Sequence, residues 1–260
     1  MTSIALVSLV NRPAEHAECR KSLLRGGEDP RVAGWHVIHP NERGWNAAQG
    51  LNAGLDAAAG DWVVLVHQDV RFPPGWIDRF TEQVGALPGT VAVVGAAGTT
   101  RAGTFRGHLV DPNGHCFWPP PAADVLTLDE CLLAVRGGGT LRFDPLVPGF
   151  HCYGAELCLR AAAEGRGIRT IDAPVLHLST GRLDAAYAAA SKYVLEKWGP
   201  TYGHFIPTTA AEIVDPARAS AWRRFLGRFV RRNSTRTDEG PCASPVCGDL
   251  LAALRSAPHP

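Results

Sequence analysis

The sequence predicts an α/β fold in which a mostly parallel central sheet is flanked by helices. Apolar runs at residues 4–10 and 62–66 have the pattern of strands buried on both faces of a sheet. The Ala- and Leu-rich segment 46–59 has the composition of a helix and leads through Gly60-Asp61 into the second run. Strands that alternate with helices in this way indicate parallel pairing.

The remaining elements follow from apolar runs bounded by glycine and proline. Residues 99–128 are expected to be irregular, because Asp111-Pro-Asn-Gly114 is a turn signal and Trp118-Pro-Pro-Pro121 is a stiff loop. Further helices are expected near residues 14–24, 73–84, 156–164 and 185–198, and further strands near residues 35–38, 91–94, 126–135 and 168–178.

The composition changes beyond residue 207. Large apolar residues recur at helical spacing over 222–232, with five arginines on the opposite face, which predicts an amphipathic basic helix. This helix is expected either to lie on an anionic membrane surface or to pack on the main domain or a second subunit. We therefore expect a main domain over residues 1–206 and an extension over 207–260, made of this helix and a flexible tail.

Bulk composition excludes several classes of protein. A chain of 260 residues with 45% hydrophobic and 20% charged residues is long enough for one substantial globular domain. The net charge of +1 gives no reason to expect a nucleic-acid partner. Seven scattered cysteines, the absence of a basic leader and the lack of a long apolar stretch favour a cytoplasmic protein.

Two residues at predicted strand ends are suited to holding a metal ion. Asp69 follows the strand at 62–66, and ligands of open α/β sheets bind beyond the carboxyl ends of the strands. His177 ends a second apolar run and is a natural second ligand. The alternatives are a helix cap or turn residue for Asp69 and a hydrogen-bonded core histidine for His177.

The stretch from Gly44 to Val70 resembles the donor-site half of family-two GT-A glycosyltransferases. In that family an Asn-x-Gly helix precedes a Gly-Asp turn, a hydrophobic strand and an Asp-x-Asp metal motif. Here Asn52 and Gly54 match the helix, and His67-Gln68-Asp69-Val70 stands at the metal motif, a version that resembles one branch of glycosyltransferase-like proteins. Further matches follow in order over roughly residues 1–200: Leu128-Asp129-Glu130 before Arg136, the stretch 149–160, His177-Leu-Ser179 and Lys197-Trp198.

The resemblance implies a GT-A fold with a C-terminal helical extension, and a metal-dependent, inverting transfer of a sugar from a nucleotide-diphosphate donor to an acceptor hydroxyl. The cofactor would be Mn²⁺ or Mg²⁺ on Asp69 and His177. The expected acceptor is a glycan or lipid-linked molecule of bacterial glycan biosynthesis. Contact with the inner face of the membrane would be made through residues 222–232. Residues expected to contact substrate are Asn41, Asn52, Gly54, His67, Gln68, His151 and Tyr153.

The sequence departs from the resemblance at the position of the general base. Relatives supply it from an acid pair that opens a helix, which here begins near Tyr153. Gly154 stands at one of those acids and Glu156 is retained, so Glu156 is expected to be the base. Asp129 or Glu130 would orient the acceptor or act as the base instead.

Three rival functions make different predictions. A sugar-nucleotide or glycan-binding module of the same fold would have lost the base, as Gly154 suggests. A metal-dependent hydrolase built on His67, Asp69 and His177 would release product at a rate independent of any acceptor. A dinucleotide oxidoreductase is disfavoured because the sequence lacks the glycine fingerprint of that class. The donor sugar, the acceptor and the oligomeric state are left open.

Overall fold

A computed structural model describes residues 1–112, 114–179, 181 and 183–214, without the side chains of 114–117. The predicted helix at 222–232 and the tail after it lie outside the described residues. None of the described helices is long and apolar enough to cross a membrane. The helices are α1 (Pro13–Leu23), α2 (Pro40–Arg43), α3 (Ala47–Ala57), α4 (Trp76–Gly85), α5 (Tyr153–Ala163) and α6 (Ala185–Tyr202).

The strands fall into two larger sheets and one short hairpin. In chain order they are β1 (Ile4–Leu9), β2 (Val32–Ile38), β3 (Trp62–Val66), β4 (Val70–Arg71), β5 (Val91–Gly95), β6 (Ala97–Thr99), β7 (Phe105–Asp111), β8 (Gly114–Trp118), β9 (Ala123–Asp124), β10 (Thr127–Leu128), β11 (Leu132–Arg136), β12 (Gly167–Thr170), β13 (Val175–His177), β14 (Phe205–Ile206) and β15 (Ile213–Val214).

The central sheet has the strand order β2-β1-β3-β11-β5-β12-β9. β1 pairs in parallel with β2 and β3, and β5 pairs in parallel with β12, whereas β11 runs antiparallel between β3 and β5. The predicted α/β fold is confirmed, with a mixed sheet. Side chains of β3 alternate between two apolar cores, because successive residues of a strand point to opposite faces.

The segment 99–128, expected to be irregular, instead contributes strands to a second sheet of order β10-β6-β7-β13-β4. β7 and β8 form an antiparallel hairpin in which Asp111 pairs with Gly114. The turn signal was recognised, but it joins two strands rather than marking a loop. Gly107 has a φ of 107°, and a Cβ there would lie 2.2 Å from the Ala96 carbonyl oxygen, so the close approach of β6 and β7 requires glycine.

Two segments predicted as single strands are each divided between the two sheets. The stretch 126–135 becomes β10 and β11, and 168–178 becomes β12 and β13. The chain crosses from one sheet to the other at residues 129–131 and again at 171–174. The second crossing lets His177 pair with Val70 on β4, which brings the ends of β3 and β13 together.

Residues 207–214 remain attached to the body of the fold. β15 pairs with β14, and the Thr127 hydroxyl donates a 2.6 Å hydrogen bond to the Pro207 carbonyl oxygen. The Thr209 hydroxyl donates a second bond of 2.6 Å to Asp129 Oδ2. These contacts cover the crossing at 129–131, where two candidate acids lie.

Candidate functional site

A cleft of about 230 Å³ opens at the carboxyl ends of β1 and β3. This is the edge of an open α/β sheet at which ligands bind. Its described lining is Leu9, Asn11, Arg12, Pro40, Leu51, Leu65, Val66, His67, Gln68, Asp69, Glu130, Phe150, Tyr153 and Ser179.

His67 and Asp69 line this cleft. His177 lies beside them, and one potential ligand atom from each of the three residues lies within 4.8 Å of the others. His177 Nε2 lies 3.4 Å from Asp69 Oδ1 and 3.4 Å from His67 Nδ1. The pairing of β13 with β4 sets this geometry, and the Leu178 amide donates a 3.1 Å hydrogen bond to the Asp69 carbonyl oxygen. The structure thus brings together the two predicted metal residues and His67.

The protonation states of the three side chains depend on one another. Burial and the neighbouring His177 lower the pKa of His67 to about 4, so this imidazole is neutral at neutral pH. Burial opposes ionisation of Asp69, but the hydrogen bond and charge of His177 outweigh it and hold the Asp69 pKa below its usual value. Burial also lowers the His177 pKa, yet the Asp69 partner raises it overall. The site therefore holds an ionised carboxylate that attracts a cation.

Tyr153 contacts His67 directly. A 2.7 Å hydrogen bond joins the Tyr153 hydroxyl to His67 Nε2, which leaves Nδ1 facing His177. Burial raises the pKa of Tyr153 well above its ordinary value, so the hydroxyl keeps its proton. Outer partners of this kind fix the orientation and tautomer of a ligating histidine. Tyr153, expected to contact substrate, lines the cleft and also orients His67.

Gln68 ties the loop after β1 to the end of β3. Its Oε1 accepts hydrogen bonds from the backbone amides of Asn11, at 3.0 Å, and Arg12, at 2.7 Å. The Arg12 guanidinium in turn donates to Asp69 Oδ2 at 3.1 Å. Sequence reasoning missed Arg12, although its place directly after an apolar strand was a usable signal.

The donor set fits a divalent transition metal ion. Two imidazoles and one carboxylate suit Mn²⁺ or a later metal, whereas Mg²⁺ prefers oxygen ligands in octahedral geometry. The carboxylate is ionised and His67 is neutral, as metal ligands must be. His177, whose pKa Asp69 raises, would give up its proton to bind a metal ion. Of the two ions that the sequence suggests, the geometry and chemistry of this cluster favour Mn²⁺.

Glu130 lines the cleft at the start of α5, where Gly154 leaves room for it. The Gly154 amide donates a 2.7 Å hydrogen bond to Glu130 Oε1. A Cβ at position 154 would lie 2.8 Å from Glu130 Cγ and 3.0 Å from Leu133 Cδ1. A carboxylate from the turn before β11 thus occupies the space that a side chain at position 154 would need. Burial raises the pKa of Glu130 to about 8.

Asp129, the other candidate in that turn, is held by neighbouring groups. Its carboxylate accepts hydrogen bonds from the Cys131 amide, at 3.0 Å, and from the Thr209 hydroxyl. Burial disfavours the ionised form, but His177 and these donors lower the Asp129 pKa overall. Asp129 therefore stabilises the turn and contributes negative charge near His177, while Glu130 faces the cleft.

The structure does not bring Glu156 to the cleft, which is a correction to its expected role as the base. Its side chain is fully buried. It lies on the face of α5 opposite Gly154, the residue that contacts Glu130. Oε1 accepts from Lys197 Nζ at 2.7 Å and from Arg160 at 2.9 Å, and Oε2 accepts from the Asp144 amide at 3.3 Å. A carboxylate committed to these partners cannot reach an acceptor hydroxyl.

Asn52 and Gly54 are also placed differently from their expected roles in the donor pocket. The Asn52 side chain exchanges two 2.9 Å hydrogen bonds with the backbone of Phe143, and so ties α3 to the loop after β11. At Gly54 an added Cβ would lie 2.2 Å from Val7 Cγ1, because α3 packs closely on β1. Neither residue is among the described residues of the cleft lining. Both residues instead make contacts that hold α3 against its neighbours.

Gly54→Ala is expected to destabilise the fold by about 1–3 kcal/mol, because the added methyl group overpacks the α3–β1 contact. Chemical denaturation measures this loss. Gly89→Ala is the matched control, since a Cβ there meets no atom within 4 Å. A donor-binding defect in Gly54→Ala without a loss of stability would contradict the packing role.

Asn41 and His151 lie near the cleft but outside its described lining. Asn41 is exposed on α2, next to Pro40, which does line the cleft. His151 Nε2 lies 3.8 Å from Asp184 Oδ1, and its ring packs edge-on against Tyr187. The neighbouring Phe150 faces the cleft instead and is 44% exposed.

Comparison with known proteins finds a matching family model and similar solved structures. The family model of glycosyl transferase family 2 matches residues 28–131. A crystal structure of GalNAc-T7 with UDP, GalNAc and Mn²⁺ superposes with a TM-score of 0.53 at 10% identity, covering 87% of this chain and 55% of that one. The mannosyltransferase PcManGT from Pyrobaculum calidifontis, in complex with GDP-Man and Mn²⁺, gives a TM-score of 0.45 at 14% identity over 99% and 76% of the two chains.

These similarities bear on the fold. The predicted GT-A fold is confirmed by the superposition on GalNAc-T7 and by the family match. This chain spans about half the length of the GalNAc-T7 chain. No curated protein matches the sequence.

Proposed function

We propose that this protein is a metal-dependent glycosyltransferase that moves a sugar from a nucleotide-diphosphate donor to an acceptor hydroxyl. The observation that carries the proposal is the cluster of His67, Asp69 and His177, the first two of which line a cleft on the carboxyl edge of a GT-A sheet. The family match to residues 28–131 includes the first two of these residues and supports the same activity.

The chain's own residues give each part of the donor site a role. His67 Nδ1, an Asp69 carboxylate oxygen and His177 Nε2 would hold Mn²⁺, with the proton of His67 on Nε2 and donated to the Tyr153 hydroxyl oxygen. A bound divalent ion supplies positive charge that stabilises the leaving diphosphate. Gln68 keeps the loop after β1 against this site.

We assign the general base to Glu130. The acceptor oxygen forms a bond to the anomeric carbon as the bond from that carbon to the diphosphate oxygen breaks, and the hydroxyl proton passes to the Glu130 carboxylate. Attack from the face opposite the leaving group inverts the anomeric configuration. Glu130 suits this role because it lines the cleft and is oriented by the Gly154 amide.

A binding module without transfer activity is the second candidate, and one observation favours it. Glu130 has a pKa of about 8, so most of it is protonated at neutral pH, and position 154 carries no acid. Such a protein would bind Mn²⁺ and the sugar nucleotide without consuming it. Transfer that increases as the pH rises through about 8 favours the enzyme instead.

The acceptor and the cellular location are inferred from the composition of the C-terminal segment. The basic, aromatic segment 222–232 has the composition of a helix that binds an anionic membrane surface. We infer a glycan or lipid-linked acceptor, reached from the cytoplasm at the inner face of the membrane, as in bacterial glycan biosynthesis.

The proposal is tested by thermal denaturation with Mn²⁺ and UDP-, GDP- or dTDP-sugars. A donor at about 100 times its dissociation constant is expected to stabilise the wild type by about 2.7 kcal/mol. Asp69→Asn is expected to lose this stabilisation, because it removes the ionised ligand at the centre of the site. Asp56→Asn, an exposed carboxylate paired with Arg142, is the control and is expected to respond as the wild type does.

Product analysis separates the rival functions. Sugar released at the same rate with and without acceptor identifies a hydrolase, and donor binding without turnover at any pH identifies a binding module. A wild-type protein whose melting temperature no donor raises in the presence of Mn²⁺ contradicts the proposed function.

A further inference from the structure

Arg12 is a cation in the cleft that neither the predicted metal site nor the assigned base explains. It follows β1 and donates from Nη2 to Asp69 Oδ2 at 3.1 Å. Among the described residues that line the cleft, it is the one lysine or arginine. Its partner carboxylate is 7% exposed, whereas the Arg12 side chain is 52% exposed.

The two ends of Arg12 are held very differently. The backbone amide is fixed by Gln68 Oε1 at 2.7 Å, and the Asn11 side chain accepts from Gln68 Nε2 at 2.6 Å. The guanidinium has a single described partner, Asp69, and the largely exposed side chain lines the cleft. The guanidinium can therefore change its partner while the backbone of Arg12 stays in place.

Asp69 cannot serve Arg12 and a divalent ion equally well. Its Oδ1 faces His177 and its Oδ2 faces Arg12, so a cation held by the carboxylate would lie close to the guanidinium. Like charges at such distances repel strongly, most of all at a partly buried site. A guanidinium that leaves Asp69 needs an anion, and its planar donors match two oxygens of a phosphate group.

We propose that Arg12 exchanges partners: it neutralises Asp69 while the metal site is empty and binds the donor diphosphate once Mn²⁺ is held there. This inference rests on the proposed function and adds to it an order of binding, metal ion before donor. It also gives the donor site a diphosphate ligand that is independent of the nucleobase.

The inference is tested by titration calorimetry on Arg12→Gln. For Mn²⁺ alone, the variant is expected to bind about two- to fivefold more tightly than the wild type, because a competing cation is gone. For inorganic pyrophosphate, UDP and GDP at saturating Mn²⁺, it is expected to bind about tenfold or more weakly, and by the same factor for each. Lys21→Gln removes an exposed charge from α1, the helix that follows Arg12, and is expected to change neither affinity.

The outcomes separate this inference from the proposed function. Arg12→Gln that binds Mn²⁺ no more tightly, or that keeps wild-type affinity for the diphosphates, overturns the exchange while leaving the glycosyltransferase proposal intact. A loss of affinity confined to one nucleotide also overturns it, since that result would mean that Arg12 contacts the nucleobase rather than the diphosphate. A wild type that takes up no Mn²⁺ overturns both. Melting temperatures without ligand verify that each variant is folded.

Discussion

Glu130→Gln is expected to lower the rate of sugar transfer by about 100- to 10,000-fold while leaving Mn²⁺ and donor affinity nearly unchanged. The amide keeps the oxygen that accepts from the Gly154 amide, but it cannot take a proton from the acceptor. Steady-state rates at saturating donor and acceptor measure the loss. In the wild type the rate is expected to rise as the pH passes through about 8, and the variant is expected to lose this dependence.

The same substitution is expected to stabilise the fold at alkaline pH. Because the Glu130 pKa is raised from 4.5 to about 8, its contribution to stability is fully present below pH 4.5 and is lost as the pH rises to about 8. The uncharged glutamine does not titrate. Denaturation at pH 8 is therefore expected to show a gain of roughly 1–3 kcal/mol for the variant, and denaturation at pH 4 almost none.

A second carboxylate provides the matched control. Glu164→Gln alters an exposed acid that pairs with Arg166 just after α5, and it is expected to change neither the rate nor its pH dependence. Full activity in Glu130→Gln would contradict the assignment of Glu130 as the general base. Loss of activity together with loss of stability at pH 8 would instead show that Glu130 holds the start of α5.

The parts of the site that the sequence predicted are those determined by strand ends. Asp69 lies shortly after β3, just before β4, and His177 ends β13. Their closeness is what strand patterning and the rule for ligands at carboxyl edges predict. Their separation depends on the pairing of β13 with β4, which unites residues about a hundred positions apart. No local pattern encodes that register.

Glu156 does not reach the cleft, because helix position alone does not determine which side chain faces it. Glu156 lies one turn into α5, and its carboxylate accepts a hydrogen bond from Lys197 in the core. Glu130 lies in the turn between β10 and β11 and reaches the start of the same helix. The signal that was available is Gly154, whose missing side chain leaves the space that Glu130 fills. The sequence alone does not show that Glu130 is the residue that fills this space, because Glu130 and Gly154 come together only in the folded chain.

Asn52 shows the same limit for polar residues on a helix. Asn52 matches a donor-pocket motif, which predicts a binding role. In the structure its amide group donates to the carbonyl oxygen of Phe143 and accepts from the amide of Phe143. A polar side chain that matches a family motif can therefore position the backbone around a site without contacting the ligand. Arg12 is the opposite case, since it lies in the cleft although no motif included it.

Lys197→Met is expected to destabilise the fold by about 3 kcal/mol, the largest loss of stability predicted for a single change in this chain. Lys197 Nζ donates to Glu156 Oε1 at 2.7 Å and also contacts Asp144 Oδ2. Asp144 is 9% exposed and Glu156 is fully buried, so removing the ammonium leaves two desolvated carboxylates with Arg160 as their remaining cation. Thermal denaturation at pH 7 is expected to show a decrease of roughly 6–12 °C.

Lys192→Met on the same helix separates this effect from a general loss of charge. Its ammonium lies 3.7 Å from Glu196, and both side chains are largely exposed, so the change is expected to cost less than about 0.5 kcal/mol. If Glu156 were the base, Lys197→Met would alter the pH dependence of transfer in the protein that stays folded. We expect folded Lys197→Met to keep the wild-type pH dependence, because the group that titrates near pH 8 is Glu130, on the other face of α5.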